Sequence, residues 1–120
     1  MNTQKTGTIL NSKTIARFKA IGHQKEIANP IVVAKLIEST GSIDMYVTQY
    51  NATNNTCYGF VIIRFMELID AEYKTIDMNI LEEMKQNGDT KMFLDTDFVE
   101  CHIKDCIPPH LYTETIKNKG

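Results

Sequence analysis

Three groups of side chains in this sequence have the types and spacing to carry chemistry. The first is soft and imidazole ligands: Cys101 beside His102, then Cys106 and His110, with Cys57 far upstream. A structural zinc site needs four ligands in tetrahedral array, commonly brought by a tight Cys or His knuckle. Adjacent Cys101 and His102 point to opposite faces if their segment is a strand, so they cannot both serve one ion. Small apolar fillers are the more common use of such cysteines, and no metal or other cofactor is expected.

The second group is carboxylates. Asp95 and Asp97 fall on one side of a strand if residues 92–104 are extended, with Glu67, Asp70 and Glu72 as a neighbouring acidic group. Paired carboxylates hold divalent cations or run acid-base chemistry when burial raises one pKa. Neither a phosphate-cradling glycine loop nor a positioned histidine accompanies them, and no nucleophile-elbow, P-loop or dinucleotide motif occurs. A solvated acidic rim is therefore expected, and no enzyme.

The third group is aromatic: Tyr46, Tyr50 and Tyr58, with Phe60 beside Gly59. Tyrosines on a sheet face give large apolar area with a polar tip, which suits a protein interface or a base-stacking platform. Stacking would want interleaved Lys and Arg, and only Arg64 is near in sequence, so a protein partner is favoured. With the acids Glu72, Asp95 and Asp97, these tyrosines form the expected partner-binding set.

The elements that must position these groups lie mostly between Ile31 and Phe65. The runs Ile31 to Ile37, Ile43 to Tyr50 and Cys57 to Phe65 are rich in β-branched and aromatic residues and read as strands. Asn51 to Thr56 is a polar run with turn chemistry, so the second and third runs form a hairpin. If Tyr50 faces Cys57, strict pairing sets Thr48 against Gly59, Tyr46 against Val61 and Met45 against Ile62. Met45, Val47, Phe60 and Ile62 then share one face and Tyr46, Tyr50, Val61 and Ile63 the other. Both faces are apolar, so a second layer, a partner or a twin chain must cover the spare one.

Before this core, Asn11 or Ser12 caps a helix ending at Gly22, with Ile15, Phe18 and Ile21 inward. Lys13, Arg17 and Lys19 face outward and are the candidate phosphate contacts of an alternative, nucleic-acid-binding reading. After the core, Glu67 to Tyr73 is ambiguous between strand and helix. Thr75 or Asp77 caps a helix through Gln86, with Ile80, Leu81 and Met84 as its apolar side and Asn87-Gly88 as its stop. Met92 to Lys104 supplies one or two last strands. The expected fold is α+β: a mainly antiparallel sheet of four or five strands, one helix before it and one after the central hairpin. Residues 1–10 are a loose start, 11–107 a single domain and 108–120 a polar tail.

With 120 residues, 42% of them hydrophobic, the chain can build a core without metal or disulfide support. No apolar run approaches the ~20 residues of a membrane span, and no signal-peptide core follows the start. A cytoplasmic setting follows, in which the three cysteines are reduced thiols and the sequons at Asn51 and Asn54 are idle. Charge is polarised. Residues 1–37 hold six bases against Glu26 alone, and residues 38–105 hold thirteen acids against five bases. An acidic body is steered toward basic partners.

The order of Val32-Val33-Ala34-Lys35-Leu36-Ile37, Met45-Tyr46-Val47-Thr48-Gln49-Tyr50, Tyr58-Gly59-Phe60-Val61, Glu72-Tyr73 and the segment from Met92 to Phe98 resembles a family of small uncharacterised proteins. That family is carried by bacterial plasmids, integrative elements and phages. The resemblance spans roughly residues 31–103. It implies fold and genomic setting, and by analogy an accessory protein that binds and inhibits or regulates a host defence or transfer protein.

Overall fold

The structure is a computed structural model and describes residues 9–112; the expected loose segment 1–10 thus lies outside the described residues except for Ile9 and Leu10, which are both buried. Helix α1 (Ser12–Ile21) starts where Asn11 Oδ1 accepts the Thr14 amide at 2.8 Å. It ends at Gly22, whose φ of 84° is the left-handed geometry that glycine adopts without a Cβ penalty. Strands β1 (Ile31–Val32), β2 (Ala34–Glu38), β3 (Ile43–Asn51), β4 (Thr56–Phe65) and β5 (Leu68–Asp77) follow. They are succeeded by α2 (Met78–Gln86), β6 (Met92–Leu94), β7 (Cys101–His102) and a short α3 (Ile103–Cys106). The main sheet has five antiparallel strands in the order β5-β4-β3-β2-β6, and β1 pairs with β7 in a separate ribbon. This is the α+β architecture expected from the sequence. The ambiguous segment after the hairpin is strand β5, and α2 is capped by Asp77, whose Oδ1 accepts the amides of Asn79 and Ile80.

The hairpin register begins as strict pairing requires, with Tyr50 opposite Cys57, and then slips by one. Thr48 is a β-bulge, so Gly59 faces Val47, Phe60 faces Tyr46 and Val61 faces Met45. A one-residue slip moves every later side chain to the other face. Tyr50 and Val61 therefore join Met45, Val47 and Cys57 on the face covered by α1 and α2, while Tyr46, Phe60 and Ile62 face the opposite way. Two contacts hold the bulge. Thr48 Oγ1 donates to the Tyr58 carbonyl at 3.1 Å, and the buried Gln24 amide donates to the carbonyls of Thr48 (2.7 Å) and Ile31 (2.8 Å). Gly59 lies where β3 presses closest: a Cβ there would meet the Tyr46 carbonyl oxygen and stand 2.8 Å from Val47 Cα.

The second apolar face is covered within the chain. Ile103, Ile107, Leu111 and Tyr112 pack over Val32, Tyr46, Phe60 and Ile62. The domain edge expected at residue 107 falls inside this packed segment, because Leu111 and Tyr112 are buried. The segment is pinned by the Ile103 amide donating to the Pro30 carbonyl at 2.8 Å and by a disulfide between Cys101 and Cys106. The expected reduced state is thus corrected for two of the three cysteines. Cys57 alone is free, and burial pushes its thiol up to about 12. On α2 the buried residues are Met78 and Leu81, whereas Ile80 and Met84 are exposed, so the apolar side is rotated from the one expected. No helix among the described residues is long and apolar enough to cross a membrane.

Candidate functional site

The three tyrosines grouped as the expected partner-binding aromatics occupy three different environments. Tyr46 is 6% exposed, set between Lys35 and Phe60 in the sheet, with the Lys35 ammonium 5.1 Å from its ring centre. It is a core residue and cannot anchor a partner. Tyr50 sits on the α1 side, 6.1 Å from the Phe18 ring, and donates its hydroxyl to Asn55 Oδ1 at 2.6 Å. Tyr58 stacks on Tyr73 at 5.5 Å, and Lys25 lies 4.8 Å from its ring centre, supplying the basic neighbour that sequence order hid. Tyr73 in turn meets Tyr112 edge-on, and burial followed by the Tyr112 hydroxyl drives its own hydroxyl pKa upward.

The carboxylates are also separated. Strand β6 stops at Leu94, so Asp95 and Asp97 are in a turn rather than on one side of a strand, and Asp95 Oδ1 accepts the Asp97 amide at 3.1 Å. Glu67, Asp70 and Glu72 belong to the β4–β5 hairpin at the other edge of the sheet, four strands away from β6. Glu72 binds Lys74 at 2.7 Å, and Lys74 also reaches Asp70 at 3.3 Å. The Lys74 ammonium is raised above its ordinary value first by Glu72, then by Asp70. The bonded Cys101 and Cys106 are not available as thiolate ligands, and no cluster of metal-holding side chains occurs among the described residues.

Along α1, Lys13, Arg17 and Lys19 are exposed as expected, but Arg17 makes a two-pronged ion pair with Glu100 at 2.7 and 3.0 Å. One of the three bases is thereby neutralised within the chain. The same pair bridges a groove of about 560 Å³ between α1 and residues 94–100, whose walls bring Lys13 together with Asp95. These two residues were assigned to rival readings from the sequence, yet they line one cavity.

A further surface escaped sequence reasoning. At the β4–β5 turn, Phe65 pairs with Leu68 across the two residues Met66 and Glu67, and Met66 takes a φ of 57°. Phe65 is 64% exposed, Met66 88%, Leu68 71% and Ile69 54%. Together they present on the order of 500 Å² of apolar surface, the size of the largest patch on a typical single chain, and such patches are often functional. Alternation puts Phe65 and Leu68 on one face and Ile69 on the other, so the hairpin end is a convex apolar knob. Its base is braced by the Arg64 amide bonded to the Ser42 carbonyl at 2.7 Å and by the Arg64–Asp44 ion pair at 2.9 Å. Arg64 is neutralised by Asp44, and the one lysine here, Lys74, is shared between Asp70 and Glu72, so with exposed Glu67 the acids outnumber the bases and the hairpin end is negative. The signal available in the sequence was Phe65-Met66-Glu67-Leu68-Ile69 itself, an apolar run astride a two-residue turn. No protein-family model, curated protein or solved structure matches this chain.

Proposed function

We propose that this chain is a non-enzymatic protein-binding module that inserts the β4–β5 hairpin end into an apolar cleft ringed by basic groups on a partner protein. The observation that carries this reading is the exposure of Phe65, Met66, Leu68 and Ile69 on a braced hairpin end flanked by Glu67 and Asp70. Like charge disfavours two copies meeting end to end, because Glu67, Asp70 and Glu72 outnumber Lys74 and two such negative ends would confront one another. It also disfavours an anionic lipid surface. The acidic rim of the sequence reading is kept, and the tyrosine face is replaced by the hairpin end, because Tyr46 is buried and the other tyrosines are engaged elsewhere.

The resemblance in strand order supplies the rest of the proposal: a mobile-element or phage accessory protein, its partner a host defence or transfer protein that docking inhibits or regulates. A phosphate-binding role for α1 is weakened by the commitment of Arg17 to Glu100. The test is a purified partner titrated against wild type and against Phe65→Ser with Leu68→Ser. Loss of about a hundredfold in affinity, with unchanged unfolding, is the expected result. Equal affinity of both proteins would refute the site.

A further inference from the structure

We infer that the groove between α1 and residues 94–100 binds a short peptide with free ends, its carboxylate at Lys13 and its ammonium at Asp95. The inference stands apart from hairpin docking, which lies elsewhere on the sheet. The groove's volume of about 560 Å³ is that of a small-ligand site. Its floor is apolar, made by Val33 and Ala34 at the start of β2 with Leu94 and Phe98, while its two walls carry opposite charge. Lys13 and Arg17 stand on the helix, and Asp95 and Glu100 face them from the connection after β6.

Arg17 and Glu100 satisfy one another through two hydrogen bonds and bridge the groove. Lys13 and Asp95 have no ion-pair partner among the described residues. Asp95 is nevertheless held in place. Its amide donates to the Lys35 carbonyl at 2.9 Å, and its Oδ1 accepts the Asp97 amide, which leaves Oδ2 for an incoming cation. A fatty acid would satisfy Lys13 and set its tail against the Asp95 carboxylate; a cationic amphiphile would do the reverse. Only a ligand with an apolar body and both charges meets both walls, and a short peptide has that form.

The test is a titration of the isotope-labelled full chain with the tripeptide Ala-Leu-Ala, followed by amide chemical shifts. The free tripeptide is expected to shift Val33, Ala34 and Thr96. Lys13→Met, Asp95→Asn, N-acetylation of the peptide or amidation of its C-terminus should each weaken binding about tenfold or more. Lys13→Met should cost nothing further for the amidated peptide. Asp95→Asn keeps an Oδ1 acceptor for the Asp97 amide and Lys13 is exposed, so both variants should unfold like wild type. Absence of shifts at millimolar free tripeptide, equal binding of the doubly blocked peptide, or equally tight binding of decanoate would each overturn the inference.

Discussion

Replacing Gly59 with alanine separates the observed sheet from an ordinary one. In a regular strand, adding the methyl group stabilises by about 0.5–1 kcal/mol, because glycine loses the most backbone entropy on folding. Here the new Cβ would be driven into the Tyr46 carbonyl oxygen, 2.8 Å from Val47 Cα and 2.9 Å from the Tyr46 carbonyl carbon. All three are backbone atoms of the central strand, so no side-chain rotation relieves the overlap. Strand β3 must draw away from β4 beside the Thr48 bulge, weakening ladder hydrogen bonds worth ~1 kcal/mol each and loosening Tyr46 and Val47 on both faces. A loss of about 3 kcal/mol is expected. For a chain of this size that lowers the melting temperature by on the order of 10 °C. Urea unfolding followed by circular dichroism reads it directly. A Gly59→Ala protein as stable as wild type would show that β3 and β4 do not approach in this register.

Tyr46→Ser should cost at least about 3 kcal/mol and Phe65→Ser with Leu68→Ser less than about 0.5 kcal/mol, since the first empties a core site and the second alters exposed side chains; chemical denaturation of both distinguishes core from surface. Thiol titration of the unfolded chain without reductant should find one reactive cysteine and with reductant three, while the native protein should resist, because the remaining thiol is buried and its pKa lies near 12. Three thiols without reductant would restore the reduced state expected of a cytoplasmic chain. The Glu38 carboxyl is held at about 2 by the Thr40 hydroxyl, then by the amides of Lys91 and Thr40. Its folded pKa lies below the ordinary 4.5, so its stabilisation is complete above that value and is lost as pH falls through about 2. Stability of Glu38→Gln should accordingly fall less than that of wild type between those limits.

The parts of the fold that were legible in the sequence are those written in local chemistry. Asn11 and Gly22 bracket α1, Asp77 caps α2, and the polar run from Asn51 to Thr56 closes a hairpin that begins with Tyr50 opposite Cys57. What escaped depends on distant partners. Thr48 looks like any strand residue, and its bulge is held by Gln24 from another part of the chain. Tyr46 could not be placed while that slip was hidden. The cover of the second face comes from residues 103–112, where Ile103, Ile107, Leu111 and Tyr112 are spaced too widely among polar residues to advertise a buried layer. On α2, Met78 and Leu81 face the core because the strand before the helix fixes its entry, a constraint that periodicity over nine residues does not reveal. The Lys13–Asp95 groove joins residues eighty-two positions apart.

Photo-crosslinking from the hairpin end is the most direct measurement of docking. Benzoylphenylalanine placed at Met66, and separately at Thr53 in the exposed β3–β4 turn, is irradiated in host cells. The expected result is a protein captured from position 66 alone, lost on Phe65→Ser with Leu68→Ser, and shown after purification to bind wild type with an affinity that Glu67→Lys and Asp70→Lys reduce. Capture of the same proteins from both positions, capture that survives the hairpin substitutions, or crosslinking of this chain only to itself would contradict it.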